Sequence, residues 1–158
     1  VKDRVEDIFE EQDISLVIEP GRYIVSDAGV ALTTVTETKQ TPPTRVVSVD
    51  IPAHHIPLNS CWDEKHLVKN ISRDEETIKQ SVSGPSCTAH TGYHILDEKF
   101  TKAEPDDTLV ITKTGAYGHY LGSTFHSMPK PKIVVQEGQE NWLSRREETL
   151  DEIMKQEI

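Results

Sequence analysis

Three short clusters hold residue types that do chemistry. Glu19-Pro20-Gly21-Arg22 sets an acid and an arginine three positions apart around a Pro-Gly turn. That pair suits a ligand with a cationic ring nitrogen and an anionic tail. It equally suits a plain turn flanked by a surface salt bridge. Gly84-Pro85-Ser86-Cys87-Thr88 turns sharply into a cysteine. A thiol on such a turn serves as an acid or nucleophile when its environment tunes it, or else as a small buried hydrophobe. Gly115-Ala116-Tyr117-Gly118 pairs two glycines with a phenol. The glycines let backbone approach a ligand and the phenol can donate to a phosphate; a hairpin or bulge with a half-buried tyrosine is the plainer alternative.

The seven histidines do not add a metal centre. His54 and His55 are adjacent, and on a strand they would face opposite ways. His90 and His94 stand one helical turn apart, with Gly92 and Tyr93 between them and no acid ligand beside them. Asn70-Ile71-Ser72 fits a glycosylation sequon, but no other feature suggests secretion. Cys61 and Cys87 make no disulfide framework, so free thiols in a reducing cytoplasm are expected.

The elements that must carry these clusters fall into two textures. Residues 1–12 read as a short amphipathic helix with Val1, Val5, Ile8 and Phe9 on one face. Ile14–Ile18 is an apolar run of the kind found in a strand buried on both faces. Val25, Ala28, Gly29, Leu32 and Val35 then recur at roughly helical spacing, which predicts a helix over Tyr23–Lys39, although the many Thr and Val residues also suit a strand. Thr41-Pro42-Pro43-Thr44 stops that element and marks a domain boundary. Beyond it come short β-type runs, RVVSVDI, TLVITK and KIVVQE, separated by turn signals such as Glu104-Pro105-Asp106-Asp107. Residues 141–157 return to a helical pattern with Leu143, Leu150, Ile153 and Met154 as its apolar stripe. The fold predicted is mainly β: a barrel or sandwich with a terminal helix, preceded by one strand–helix unit that has no sheet of its own.

Composition narrows the function. The chain has 158 residues, with 17 basic and 27 acidic side chains and a net charge of −10. That balance argues against nucleic acid, whose phosphates recruit basic patches. No apolar run approaches the roughly 18 residues of a membrane span. The charged start, VKDRVEDIFEEQ, is unlike a secretory signal. Hydrophobic residues make up 35%, and even with eight glycines the apolar sum stays below the usual roughly 45–50%. A folded module of a larger body accounts for that shortfall.

In order along the chain, EPGRYIVSDAGVALTTV, VVSVD, GPSC, GAYG and RREETL form a far more specific series than any one cluster alone. The series resembles the carboxy-terminal part of the fold-type III pyridoxal-phosphate (PLP) amino-acid decarboxylases. Within them it is most similar to the diaminopimelate decarboxylases, with ornithine decarboxylases more distant. The resemblance implies that residues 1–40 are the terminal piece of an amino-terminal (β/α)₈ barrel and that 41–158 are the carboxy-terminal β domain. It implies PLP as cofactor, with the rest of the barrel outside this chain. None of the eleven lysines lies in the family's cofactor-bonding motif.

The same resemblance assigns roles. Glu19 would pair with the pyridine nitrogen. Arg22 would contact the cofactor phosphate or the substrate side, and Tyr117 would reach the phosphate. Cys87 would enter the site of the neighbouring subunit of a homodimer and help protonate the carbanion left when carbon dioxide departs. The substrate would be a small amino acid. Two departures point away from standard meso-diaminopimelate: Cys87 is followed by Thr88 rather than the family's glutamate, and IPAHHIPLNSCW replaces the segment that leads to a substrate-binding arginine. The same gaps motivate the alternative of an inactive decarboxylase-like protein that works through protein binding.

Overall fold

The computed structural model describes residues 17–57, 66–87 and 92–156. The expected helix over 1–12 lies outside them, as do residues 14–16 of the expected strand, Cys61 and His90. Val17 and Ile18, the rest of that strand, are exposed and belong to no regular element. Among the described residues no strand pairs with Val17 or Ile18.

Six strands build the main sheet: β1 (Ala31–Thr41), β2 (Thr44–Val49), β3 (Val68–Asn70), β4 (Thr77–Ser83), β5 (Tyr93–Thr101) and β6 (Thr108–Ile111). Their order across the sheet is β3-β6-β1-β2-β4-β5. Every neighbouring pair is antiparallel except β2 with β4. The two edge strands, β3 and β5, also touch each other, so the sheet curls into a nearly closed barrel. Val35, Val47, Val49, Val82, Leu109 and Ile111 fill its interior. They come from alternate positions, as a pleated strand with one buried face requires. The mainly β architecture predicted from the sequence is therefore the one observed.

Two helices expected from periodicity are corrected. Over Tyr23–Lys39, only α1 (Arg22–Val25) and a 3-10 turn (Ser26–Ala28) are helical, and β1 takes over from Ala31. Six of the eleven residues of β1 are β-branched, and Thr33 and Val35 alternate inward. Pairing on both sides, with β2 and β6, outweighs a helical spacing that was coincidental. Thr41-Pro42-Pro43-Thr44 is the hairpin turn between β1 and β2, so the boundary expected at residues 40/41 falls inside one sheet. Over 141–157, Glu140–Arg145 forms a strand, β8, which pairs with β7 (Ile133–Glu137) through a turn at Gly138. Gly138 has φ +60, a conformation that favours glycine. The terminal helix is limited to α3 (Leu150–Ile153) and a 3-10 turn after it. Thr149 starts α3 with a reciprocal cap: its hydroxyl accepts from the Glu152 amide, and the Glu152 carboxylate accepts from the Thr149 amide.

One buried carboxylate ties the curled sheet together. Asp107, at the start of β6, accepts two bonds from Arg73 (both 2.6 Å), one from Asn70 Nδ2 (2.8 Å) and one from the Glu104 amide (2.8 Å). The Asn70 amide of the sequon is thus engaged within the fold. Burial pushes the Asp107 carboxyl up, but these donors outweigh it and hold it below the usual carboxylate range. Asp107→Ala should cost about 2 kcal/mol, because several donors lose one charged acceptor. Urea unfolding at pH 7 reads this directly, and an unchanged midpoint would refute the role.

Candidate active site

The first and third chemical clusters meet at one corner of the barrel. Gly21 opens α1, and the Ile24 amide bonds back to its carbonyl at 3.2 Å. The chain then passes through Ser26 to Gly29, which lies against Gly115. A Cβ on Gly29 would stand 2.4 Å from the Gly115 backbone, and one on Gly115 would stand 2.1 Å from the Val25 carbonyl oxygen. Three bonds lock the contact: Gly115 N to Ser26 O (3.1 Å), Thr114 N to Gly29 O (3.0 Å) and Ser26 Oγ to Lys113 O (3.4 Å). Only two residues without side chains allow the two turns to approach this closely.

That approach places the phenol. Tyr117 has φ +62, the left-handed region, and leads into α2 (Gly118–Leu121). Its ring turns back toward the first cluster, so that a Cβ on Gly21 would lie 2.8 Å from the Tyr117 hydroxyl. Arg22 follows, half-buried, and its charge reaches His66. Glu19 is exposed on the incoming segment. Glu19 and Arg22 therefore flank, in the chain, the glycine that Tyr117 meets, at a corner built by Gly21 and by the Gly29–Gly115 contact.

Cys87 lies on a separate loop after β4. Its thiol is exposed and free. Gly84, at the base of that loop, packs on the segment 51–53: a Cβ there would stand 2.6 Å from Ile51 O and 2.8 Å from Ala53 N. The described residues do not bring Cys87 into the corner of the other three.

Histidines make up a feature that motif reasoning missed. His54 and His55 form a 3-10 turn (Ala53–His55) rather than part of a strand, and their rings meet edge to face at 4.8 Å. His94 lies on β5 rather than on a helix, and its Nε2 donates to Ile51 O at 2.9 Å. His66 Nδ1 donates to Thr112 O at 2.7 Å, and His55 Nε2 donates to Met128 O at 3.2 Å. A carbonyl can only accept, so each of these contacts fixes the proton on the bonded nitrogen. Burial is the main force holding all three below the usual histidine range, His94 at about 4, so they are neutral at pH 7. Among the described residues no three His, Cys, Asp or Glu side chains gather closely enough to hold a metal ion. The adjacency of two histidines after β2 was visible in the sequence, but nothing there showed that two more, from distant segments, pack near them.

With this geometry in place, likeness to known proteins is decisive. The model of the pyridoxal-dependent decarboxylase C-terminal sheet domain matches residues 22–115. The chain belongs to this family. The match covers both halves of the Gly29–Gly115 contact. Among curated relatives of this sheet domain, a diaminopimelate decarboxylase of Helicobacter pylori is 31% identical over 92% of the chain and 36% of its own length. One from Neisseria meningitidis is 29% identical over 98% of the chain and 37% of its own length. Among solved structures, the diaminopimelate decarboxylase of M. jannaschii in complex with L-lysine superposes with a TM-score of 0.85 at 25% identity, covering 98% of this chain and 36% of that one. The Helicobacter pylori enzyme complexed with L-lysine gives 0.81 at 28% identity, covering 96% and 37%. The chain thus spans about a third of the length of the relatives it matches.

Proposed function

We propose that this sheet domain forms one wall of the active site of a PLP-dependent amino-acid decarboxylase. One observation supports the proposal: Gly21, which stands between Glu19 and Arg22 in the chain, lies against the Tyr117 hydroxyl. This donor set fits the cofactor. Arg22 and Tyr117 offer cationic and neutral donors to a phosphate, and Glu19 offers an acceptor to a protonated ring nitrogen. Bound PLP supplies an electron sink for the pair left when carbon dioxide departs.

The chain's own groups then have separate duties. Glu19 keeps the ring nitrogen protonated. Arg22 and Tyr117 hold and orient the anionic tail. Cys87, on its exposed loop, reaches the site of a second subunit and carries the proton that returns to the substrate carbon. The working unit is then a cytoplasmic homodimer whose amino-terminal (β/α)₈ barrel covers this corner. The exposed apolar side chains Val17, Ile18, Tyr23 and Ile24, all beside the corner, support such a covering neighbour. The substrate is a small amino acid other than standard meso-diaminopimelate, in keeping with Thr88 after Cys87 and with the His54-His55 segment.

The test uses the full-length protein purified with PLP. A cofactor-dependent visible band that borohydride bleaches, together with carbon dioxide release from one member of an amino-acid panel, is the expected result. A folded protein with no band would favour the inactive, protein-binding alternative. A band with release only from meso-diaminopimelate would overturn the substrate assignment alone.

A further inference from the structure

One segment packs against both the base of the Cys87 loop and the chain that follows Tyr117. Residues 51–57 leave β2 anchored to β1: Ile51 N donates to Thr33 Oγ1 (3.3 Å) and Asp50 N donates to Thr34 O (3.0 Å). On one side the segment is packed by Gly84, whose Cβ would strike Ile51, Pro52 and Ala53 backbone atoms at 2.6–2.8 Å. The base of the Cys87 loop closes there through Gly84 N to Gly92 O, 2.9 Å. On the other side the segment meets the chain that follows Tyr117. A Cβ on Gly118 would stand 3.2 Å from Ile56 Cγ2, and one on Gly122 would stand 2.7 Å from the His55 carbonyl oxygen. Ser123 N donates to His54 O at 3.1 Å. The buried His55 ring adds the longest reach, donating from Nε2 to Met128 O, 73 positions along the chain.

We propose that residues 51–57 are a strap that positions the Cys87 loop relative to the Tyr117 turn, with His55 as the positioning residue that pins it. Gly84 and Gly122 each meet strap backbone, so at those two contacts no side chain of the strap can rotate away to absorb a displacement. Movement of the 122–128 segment is passed to Ile51–Ala53 and from there to Gly84. The carbonyl of Ile51 is itself held by His94 Nε2 at 2.9 Å, which keeps the strap from yielding inward. The strap rests on the decarboxylase assignment only in that Cys87 and Tyr117 are taken as the groups worth positioning. The coupling itself needs no cofactor, so it can fail or hold whatever the PLP test shows.

Amide hydrogen exchange on the full-length protein without cofactor tests it. His55→Leu removes the bond to Met128, and His55→Gln keeps a donor at the same reach. His55→Leu should speed exchange at Ser123 and, across the strap, at Gly84 by about tenfold, the factor carried by one ordinary hydrogen bond. The amides of β1 and β6 should stay within about twofold. His55→Gln should restore both sites. Gly122→Ala, which drives a methyl group against the His55 carbonyl, should loosen the same two sites and serves if His55→Leu does not fold. Loosening confined to 122–128, loosening shared equally by all strands, or failure of glutamine to rescue would each overturn the coupling.

Discussion

Acidification from pH 7 to pH 5 should remove about 2 kcal/mol of stability or more, before most carboxylates begin to titrate. His94 carries most of the effect. It is wholly buried, its Nδ1 has no hydrogen-bond partner among the described residues, and burial holds it at about 4. The Ile51 carbonyl bond opposes that shift, while His66, His55 and His54 reinforce it. In the unfolded chain a histidine takes its proton near pH 6.5. Between those values the unfolded state binds more protons, so stability falls as the pH falls. His54, His55, His66 and His119 are all held low with burial as the leading cause, and add in the same direction. The lowered carboxyls, Asp107 among them, contribute stability that is lost progressively below about pH 5. Urea unfolding at pH 7, 6 and 5 reads the histidine window, and a point at pH 3.5 adds the carboxylates. His94→Gln, which keeps a donor for Ile51 but cannot take up the charge, should flatten most of the decline. A stability that stays level from pH 7 to 5 would refute the histidine account.

Gly115→Ala should be the most damaging single methyl group in the candidate site. The new Cβ would lie 2.1 Å from the Val25 carbonyl oxygen and 2.7 Å from the Gly29 amide nitrogen. Both are backbone atoms, so no rotamer change relieves the clash. The α1 turn and the Tyr117 turn must separate, breaking the bonds from Gly115 and Thr114 to Ser26 and Gly29. Overpacking of this kind costs about 3 kcal/mol. Cofactor retention by the full-length protein should fall with it, because Arg22 and Tyr117 stand on opposite sides of the break. Unfolding midpoints and cofactor content after gel filtration report the two effects separately. Wild-type values for both would show that the glycine pair is not what assembles the corner.

The β-type runs were legible because each is short, branched and bounded by turn residues: RVVSVDI covers all of β2 but Thr44, TLVITK contains β6 and KIVVQE contains β7. The two longer helical readings were misleading for a shared reason. Leu32 and Val35 fit a helical stripe, yet Thr33 and Val35 are the inward positions of a strand. Likewise, Leu143 matched an apolar helical stripe but pairs with Val134 across a hairpin. Periodicity over a few residues does not separate the two states, and partners distant in sequence decide between them.

The chemical clusters were legible as residue types. Glu19, Arg22, Cys87 and Tyr117 could be singled out without coordinates, because Pro-Gly and paired glycines mark places where backbone turns or approaches closely. The sequence by itself determined the mainly β class, the family likeness and the inventory of acid, guanidinium, phenol and thiol. Only the tertiary structure decided that Gly29 meets Gly115, that Tyr117 turns back onto Gly21, and that a histidine-bearing strap lies between the Tyr117 turn and the Cys87 loop. Those contacts join segments some 30 to 95 positions apart. Local residue pattern has no term for such pairings: they are set by sheet order and by which backbones can close on one another without a side chain between them.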